Sequence, residues 1–388
     1  MPGWSAATGT RPGCVLGLGW TKENSLTSPR RTRRALLAVV LVLAVIVAGV
    51  GLVWQARTDD SPPVAATPTP SSPEPVRPIV VAVSVDGLNP DALERLGRDG
   101  TPTFHRLIDD GASTLNARTA YELTVTLPNH TGMLTGRGVS GSDGHGLTVN
   151  VDPGGTLIDE HGSYVASMFD VAHDHGLRTA LLAQKKKFSF FGRTWDEQHG
   201  ADDSEGDDDG HDKIDIELTD EDAPVVEKVQ DILTHDRADL VFLHLRAPDK
   251  AGHAHGWLGP EYLEAVRSAD SDLGRILSTI DASPDLTERV TILLTADHGG
   301  PEGVKRHDDL TLLANYRIPF IAWGRGVSHS ADLYGLNDDR RDPGTSRPGY
   351  DGPQPIRNLD IEATALSALG LPALTGTTSS QWPGLHLH

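Results

Sequence analysis

The chain has 388 residues, enough for two or three domains or for one large α/β domain with appendages. An apolar share of 38%, with 41 glycines besides, excludes wholesale disorder, and 26 prolines without a Gly-X-Y period exclude a collagen-like fibre. The formal charge of −20, from 34 basic and 54 acidic residues, argues against a nucleic-acid binder. That charge is unevenly spread. Residues 1–60 carry seven Lys/Arg and three Asp/Glu, a net +4, which leaves −24 for the rest. The sole cysteine, Cys14, precludes an intrachain disulfide, so any metal site must be built from His and carboxylates.

Residues 1–34 read as a cytoplasmic tail, aperiodic up to an arginine cluster at Arg30-Arg31-Thr32-Arg33-Arg34. Ala35 to Trp54 is a run of twenty residues without a charge, the length a helix needs to cross a bilayer. Arginines on its N-terminal flank predict a cytoplasmic N-terminus and an exported remainder, in a single-pass cell-membrane protein. A cleaved signal peptide would have a shorter apolar region ending in a small-x-small site; here the run continues into Val53-Trp54-Gln55. Residues 55–78 are Pro-rich, which predicts an extended spacer.

From Ile79 to His388 the pattern is α/β. IVVAVSV (79–85), TALLA (179–183), DLVFLHL (239–245), VTILLTA (290–296) and IPFIAWG (318–324) read as buried parallel strands. Helical stretches at 164–176, 223–235 and 260–280 alternate with them, which predicts a doubly wound, mostly parallel sheet with helices on both faces. Twelve acidic residues crowd 202–222, with Lys213 the only Lys or Arg. A calcium-loop template anchored on Gly210 places Glu205, Asp207 and Asp209 correctly but puts Ile216 where a glutamate belongs, so the segment reads as a solvated insertion.

In an open α/β sheet, ligands bind beyond the carboxyl ends of the strands. Three strands deliver metal-ligand types there: Asp86 before Gly87, Asp249 with His253, and Asp297 with His298. Carboxylate and imidazole together suit zinc. A further segment, Thr124 to Gly136, puts a hydroxyl before a Pro-Asn turn that opens a helix; a threonine nucleophile needs a metal or base to activate it. Read alone, that threonine is equally an N-cap.

V-D-G at 85–87, T-L-P-N-H at 126–130, H-G at 145–146 with Asn150 beyond, D-K-A-G-H at 249–253 and A-D-H-G-G at 296–300 together resemble the type I phosphodiesterase/nucleotide pyrophosphatase family, within the alkaline phosphatase superfamily. The resemblance runs from about Ile79 to Pro372 and implies an alkaline-phosphatase-like fold with two divalent metal ions, zinc by preference. It makes Thr126 the nucleophile shared between the metals, passing through a phosphothreonine, and Asn150 a donor to a phosphoryl oxygen. Asp86, Asp297 and His298 would hold one ion; Asp249, His253 and a third imidazole the other. His307 is the choice for that third ligand, with His255 and His329 as competitors, because RPGYD (347–351) lacks the late histidine of animal-type members.

Two departures touch specificity. Nucleotide-hydrolysing members carry Phe after the nucleophile, where this chain has Leu127, available only for apolar packing against a ligand. No Arg lies between Thr126 and Gly136 to clamp a dianion, which leans towards diesters. Lys185-Lys186-Lys187-Phe188 either lines the pocket or pairs with the acidic insertion. Sulfatase chemistry needs a Cys or Ser in a characteristic motif, converted to formylglycine, and Cys14 lies in the tail. The sequence therefore predicts a membrane-anchored phosphodiesterase or pyrophosphatase acting on a small substrate. The alternatives are a phosphomonoesterase of the same fold and an inactive surface binding protein.

Overall fold

Strand β1 (Ile79–Val85) sits near the middle of the sheet and is buried along its whole length. The computed structural model describes residues 76–204 and 210–388. The expected tail, anchor and most of the linker lie outside the described residues, and among those described no helix is long and apolar enough to cross a membrane. The remaining strands are β2 (Ala112–Arg118), β3 (Thr179–Ala183), β4 (Ile216–Thr219), β5 (Leu240–Leu245), β6 (Val290–Thr295), β7 (Arg317–Gly324) and β8 (Ala331–Asp332). Their spatial order is β4-β3-β5-β1-β6-β7-β2-β8. β1, β5 and β6 are apolar almost throughout because helices cover both faces of a parallel sheet and leave no solvent side for polar alternation.

β7 corrects the expectation of a parallel strand: it runs antiparallel to both β6 and β2. A run buried on both faces reads the same in either direction, so its composition carries no polarity. The loop from β6 to β7 starts and finishes at the same edge of the sheet, where Thr295 pairs with Phe320. That loop carries Asp297, His298 and His307. β2, with the polar sequence ASTLNAR, and the short edge strand β4 give little apolar signal.

The helices are α1 (Asp91–Gly100), α2 (Pro102–Asp109), α3 (Thr126–Thr135), α4 (Met168–Asp174), α5 (Val225–His235), α6 (Ala247–His255), α7 (Pro260–Asp281) and α8 (Asp360–Leu369), besides shorter turns. α3, α4 and α8 pack as one layer, while α7 gathers α1, α2, α5 and α6 into another. α3 is buried along its whole length and ends at Gly136, whose φ of +64° stops the helix in the left-handed region.

The acidic 202–222 segment is more than a solvated loop. Ile216 and Leu218 pack against the core from β4, and Lys213 is buried among partners for its charge. The calcium-template positions Glu205, Asp207 and Asp209 lie outside the described residues.

Register explains where the chemistry collects. Ala183, His244, Ser84 and Thr295 stand in one row across β3, β5, β1 and β6. Two residues beyond that row come Lys185, Arg246, Asp86 and Asp297.

Candidate metal centre

Asp86 leaves β1 into a turn that only glycine permits. Gly87 has φ +70°, and a Cβ there would lie 3.0 Å from the Asp249 Cα. The Gly87 carbonyl accepts hydrogen bonds from Trp257 Nε1 at 2.9 Å and Tyr262 OH at 2.7 Å, while its N–H donates to Asp297 Oδ1 at 3.0 Å. The turn thus locks β1, α6 and the β6–β7 loop against one another. His244, inside β5, bonds Asp86 Oδ2 at 2.7 Å and fixes that carboxylate.

Three imidazoles converge on this point with the same orientation. His298 Nδ1 bonds the Gly299 carbonyl at 2.8 Å, His253 Nδ1 that of Lys305 at 3.0 Å, and His307 Nδ1 that of Thr124 at 2.5 Å. With each Nδ1–H donated to backbone, each Nε2 lone pair faces the centre, the arrangement metal-binding histidines use. His298 and His307 also stack, centroids 3.6 Å apart and 7° from parallel.

The ligand atoms form two groups, Asp86/Asp297/His298 and Asp249/His253/His307, each close enough to surround one ion. His298 Nε2 lies 3.2 Å from Asp297 Oδ2, 3.5 Å from Asp86 Oδ1 and 3.7 Å from Asp249 Oδ1. Those four atoms are all buried and without a hydrogen-bond partner. Orphaned buried carboxylate oxygens are costly unless something cationic completes them. The donor set fits two divalent ions, with Asp249 between the two groups: His253 Nε2 is 3.2 Å from its Oδ1 and His307 Nε2 4.0 Å.

Electrostatics agree. Burial opposes ionisation of Asp86, but Lys185 and the bonded His244 hold it well below the usual carboxylate range. Asp297 is driven well above that range by burial and then by the Asp86 charge. Burial, and then His307, bring His298 down to about 3; burial also lowers His307. Both imidazoles are therefore neutral at pH 7, the form a metal binds.

Thr126 is the first residue of α3 and buried, but it does not cap the helix; Val125 stands at that position without a side-chain cap. The Thr126 hydroxyl faces Lys185 Nζ at 3.5 Å. Asn150 Oδ1 accepts from Leu127 N–H at 2.9 Å and from Lys187 Nζ at 2.8 Å, which assigns its amide nitrogen as the donor left for a ligand.

All eight residues singled out from sequence thus lie in or beside this centre, and His307, not the exposed His255 or His329, joins Asp249 and His253. Leu127 corrects an expectation: it is wholly buried in the core and is not available to pack against a ligand. His145 is likewise buried and serves its own loop, accepting from Leu147 N–H at 3.1 Å. Sequence reasoning left Lys185 undecided. It bonds Asp249 Oδ2 and approaches Asp86 Oδ2, both at 2.6 Å, rather than pairing with the acidic segment. Its place two residues past β3 matches that of Asp297 after β6, a signal available from strand ends. His244 was also missed, because a histidine inside a buried strand has no such signal.

An α/β protein with a paired Asp/His centre beside a threonine at a helix start defines a narrow class. A family model for type I phosphodiesterase / nucleotide pyrophosphatase matches residues 80–155 and 159–331, well over half of the chain. The chain belongs to that family. Human ectonucleotide pyrophosphatase/phosphodiesterase family member 7 is 36% identical over 85 residues, 22% of this chain and 18% of that protein. GPI ethanolamine phosphate transferase 1 of Yarrowia lipolytica is 31% identical over 107 residues, 26% of this chain and 11% of the relative. The matches thus span under a fifth of these relatives' length. Among solved structures, an inactive variant of murine ectonucleotide pyrophosphatase/phosphodiesterase 5 in complex with AMP superposes with a TM-score of 0.53 at 16% identity, covering 77% of this chain and 96% of that one. At that identity the likeness concerns the fold.

Proposed function

We propose that the protein is a metal-dependent phosphoric ester hydrolase of phosphodiesterase/pyrophosphatase type, with Thr126 as covalent nucleophile. The observation that carries this is the convergence of four unpartnered ligand atoms beside a hydroxyl at a helix start. Asp86, Asp297 and His298 hold one divalent ion and Asp249, His253 and His307 the other. Bound there, divalent ions supply Lewis-acid polarisation of phosphoryl oxygens and lower the pKa of the Thr126 hydroxyl. Zinc suits this mixture of imidazole and carboxylate.

The chain's own groups do the rest. Thr126 Oγ1 attacks phosphorus, the bond to the leaving oxygen breaks, and the leaving group departs as an alcohol or phosphate with a proton. Lys185 stabilises the developing alkoxide before attack. The amino end of α3 favours the phosphothreonine that forms, because helix dipoles favour anions there. Asn150 donates its amide to a phosphoryl oxygen. Water then attacks phosphorus, the bond to Oγ1 breaks, and Thr126 regains its proton.

The uncharged run at 35–54, with arginines before it, supports a membrane-tethered protein with this domain outside the cytoplasm. The test uses the full chain, purified and loaded with zinc, on a chromogenic phosphodiester beside its monoester and sulfate analogues. Turnover of a phosphate ester that Thr126→Ala abolishes is expected. No turnover, or turnover unchanged in Thr126→Ala, sinks the reading.

A further inference from the structure

Trp257 lies between α6 and α7 and is wholly buried. It offers no metal-ligand atom, yet its indole stands against all three imidazoles of the centre. Ring centroids are 5.4 Å apart for His253, 5.6 Å for His307 and 6.3 Å for His298, at interplanar angles of 78°, 65° and 60°. Edge contacts of this kind suit aromatic rings, whose rims are positive and faces negative. Indole Nε1 also donates to the Gly87 carbonyl at 2.9 Å, beside Asp86. One side chain thus meets the ligand-bearing segments after β1, in α6 and in the β6–β7 loop.

The surrounding chain is shaped to admit that ring. A Cβ on Gly252 would lie 2.5 Å from the indole and one on Gly300 2.2 Å, both at the bond shared by its two rings. The glycine of D-K-A-G-H and the last glycine of A-D-H-G-G are therefore room for Trp257. Leu258, the next residue, has φ +62°, a left-handed backbone that a bulky side chain adopts only under constraint. The Trp257 N–H donates to the Val304 carbonyl at 3.2 Å, and its own carbonyl accepts from Gly303 N–H at 2.9 Å. The next residue of that loop, Lys305, supplies the carbonyl that orients His253 Nδ1. His253 needs this support most: His298 and His307 are buried and stacked on each other, whereas the His253 side chain is 49% exposed.

We propose that Trp257 is a positioning residue for the ion held by Asp249, His253 and His307, its ring being the wall that aims the imidazole Nε2 atoms at a common point. With the centre read as a two-ion site, as above, the affinity of that ion depends on the indole. The ion held by Asp86, Asp297 and His298 does not, because His244 and the Gly87 N–H fix its two carboxylates.

Calorimetric titration of the metal-free full chain with zinc tests this without turnover. The wild type should take up two ions. Trp257→Leu should weaken one of them about 10- to 100-fold, the usual cost of losing a group that orients a ligand, and leave the other within about threefold. Trp257→Phe, which restores an aromatic edge, should recover most of that loss. A merely structural tryptophan would lower the melting temperature in chelator and spare both affinities. Cobalt gives a second reading that survives a poorly folding Leu variant. A paramagnetic ion at the centre should quench tryptophan emission in the wild type, and most of that quenching should vanish in Trp257→Phe. Equal weakening of both ions in the Leu variant, or quenching that persists in the Phe variant, overturns the proposal. A wild type that takes up no zinc sinks the two-ion reading itself; two ions bound equally well with and without the indole sink this inference alone.

Discussion

Two clusters of carboxylates and imidazoles in this molecule look alike on paper and differ in what remains unsatisfied. His173, Asp174 and Asp203 come as close together as the residues at the strand ends do. There, however, the buried Lys213 bonds Asp203 and lies 3.8 Å from Asp174, and His173 Nδ1 bonds Asp203 at 3.0 Å. At the strand ends Lys185 also bridges two carboxylates, but three aspartates face it, and three of their oxygens plus one imidazole nitrogen stay without partners. Proximity of ligand types is therefore a weak criterion. What distinguishes the centre is surplus negative charge and lone pairs that protein groups leave open.

The largest expected contrast is catalytic. Thr126→Ala should reduce kcat by about a thousandfold or more, because the hydroxyl that faces Lys185 at the start of α3 carries the covalent step. Asp203→Asn should leave kcat within about twofold once allowance is made for folded fraction. Steady-state assays on both variants check this, and an active Thr126→Ala would dissolve the distinction. Next comes metal content. Elemental analysis of the folded wild type should find two ions per chain and Asp86→Asn one, whereas Asp203→Asn should keep both. Loss of an ion in Asp203→Asn would make the 173/174/203 cluster a metal site after all.

Stability separates them more finely. Adding metal at about one hundred times its Kd should stabilise the wild type by about 2.7 kcal/mol, and a chelator should remove that gain. Asp203→Asn leaves the buried Lys213 only the more distant Asp174 among the carboxylates named here and should cost about 3 kcal/mol with metal or without, since the penalty comes from a poorly compensated buried charge. Thermal unfolding with and without chelator measures both. A metal-dependent penalty for Asp203→Asn would contradict the division.

The same reasoning shows what the sequence could reveal. Strand-end position found Asp86, Asp249 and Asp297, and their imidazole neighbours, because an acidic residue closing a β-branched run has few structural uses. Lys185 obeys the same rule two residues after TALLA, but lysine is not a metal-ligand type, so its position alone does not assign it to the centre. The run 318–324 marks β7 as a strand but not its direction, since hydrophobic burial is blind to polarity. β2 escaped because ASTLNAR has no apolar run. Adjacency to Thr126 suggests that Leu127 faces a ligand, whereas one step along a helix turns a side chain by about 100° and here carries it into the core.

The smallest contrast is in pH, and it depends on His253, the most exposed of the three imidazoles. The Asp249 carboxylate, 3.2 Å from its Nε2, raises its pKa above the ordinary histidine value. In the metal-free protein a raised folded pKa adds stability that is fully present below the unfolded pKa of about 6.5 and lost as pH climbs through the folded value. In the metal-loaded protein the sign reverses, because the ion needs the neutral ring and must displace that proton, so its stabilisation grows as pH rises over the same interval. Solvent screening at this half-exposed ring keeps the first effect small, and it is best read as a difference between wild type and His253→Gln. Melting temperatures from pH 5.5 to 8 should show that difference falling with pH in chelator and rising with pH in zinc. Curves of the same sign in both media would mean that His253 answers to Asp249 alone and does not bind the metal.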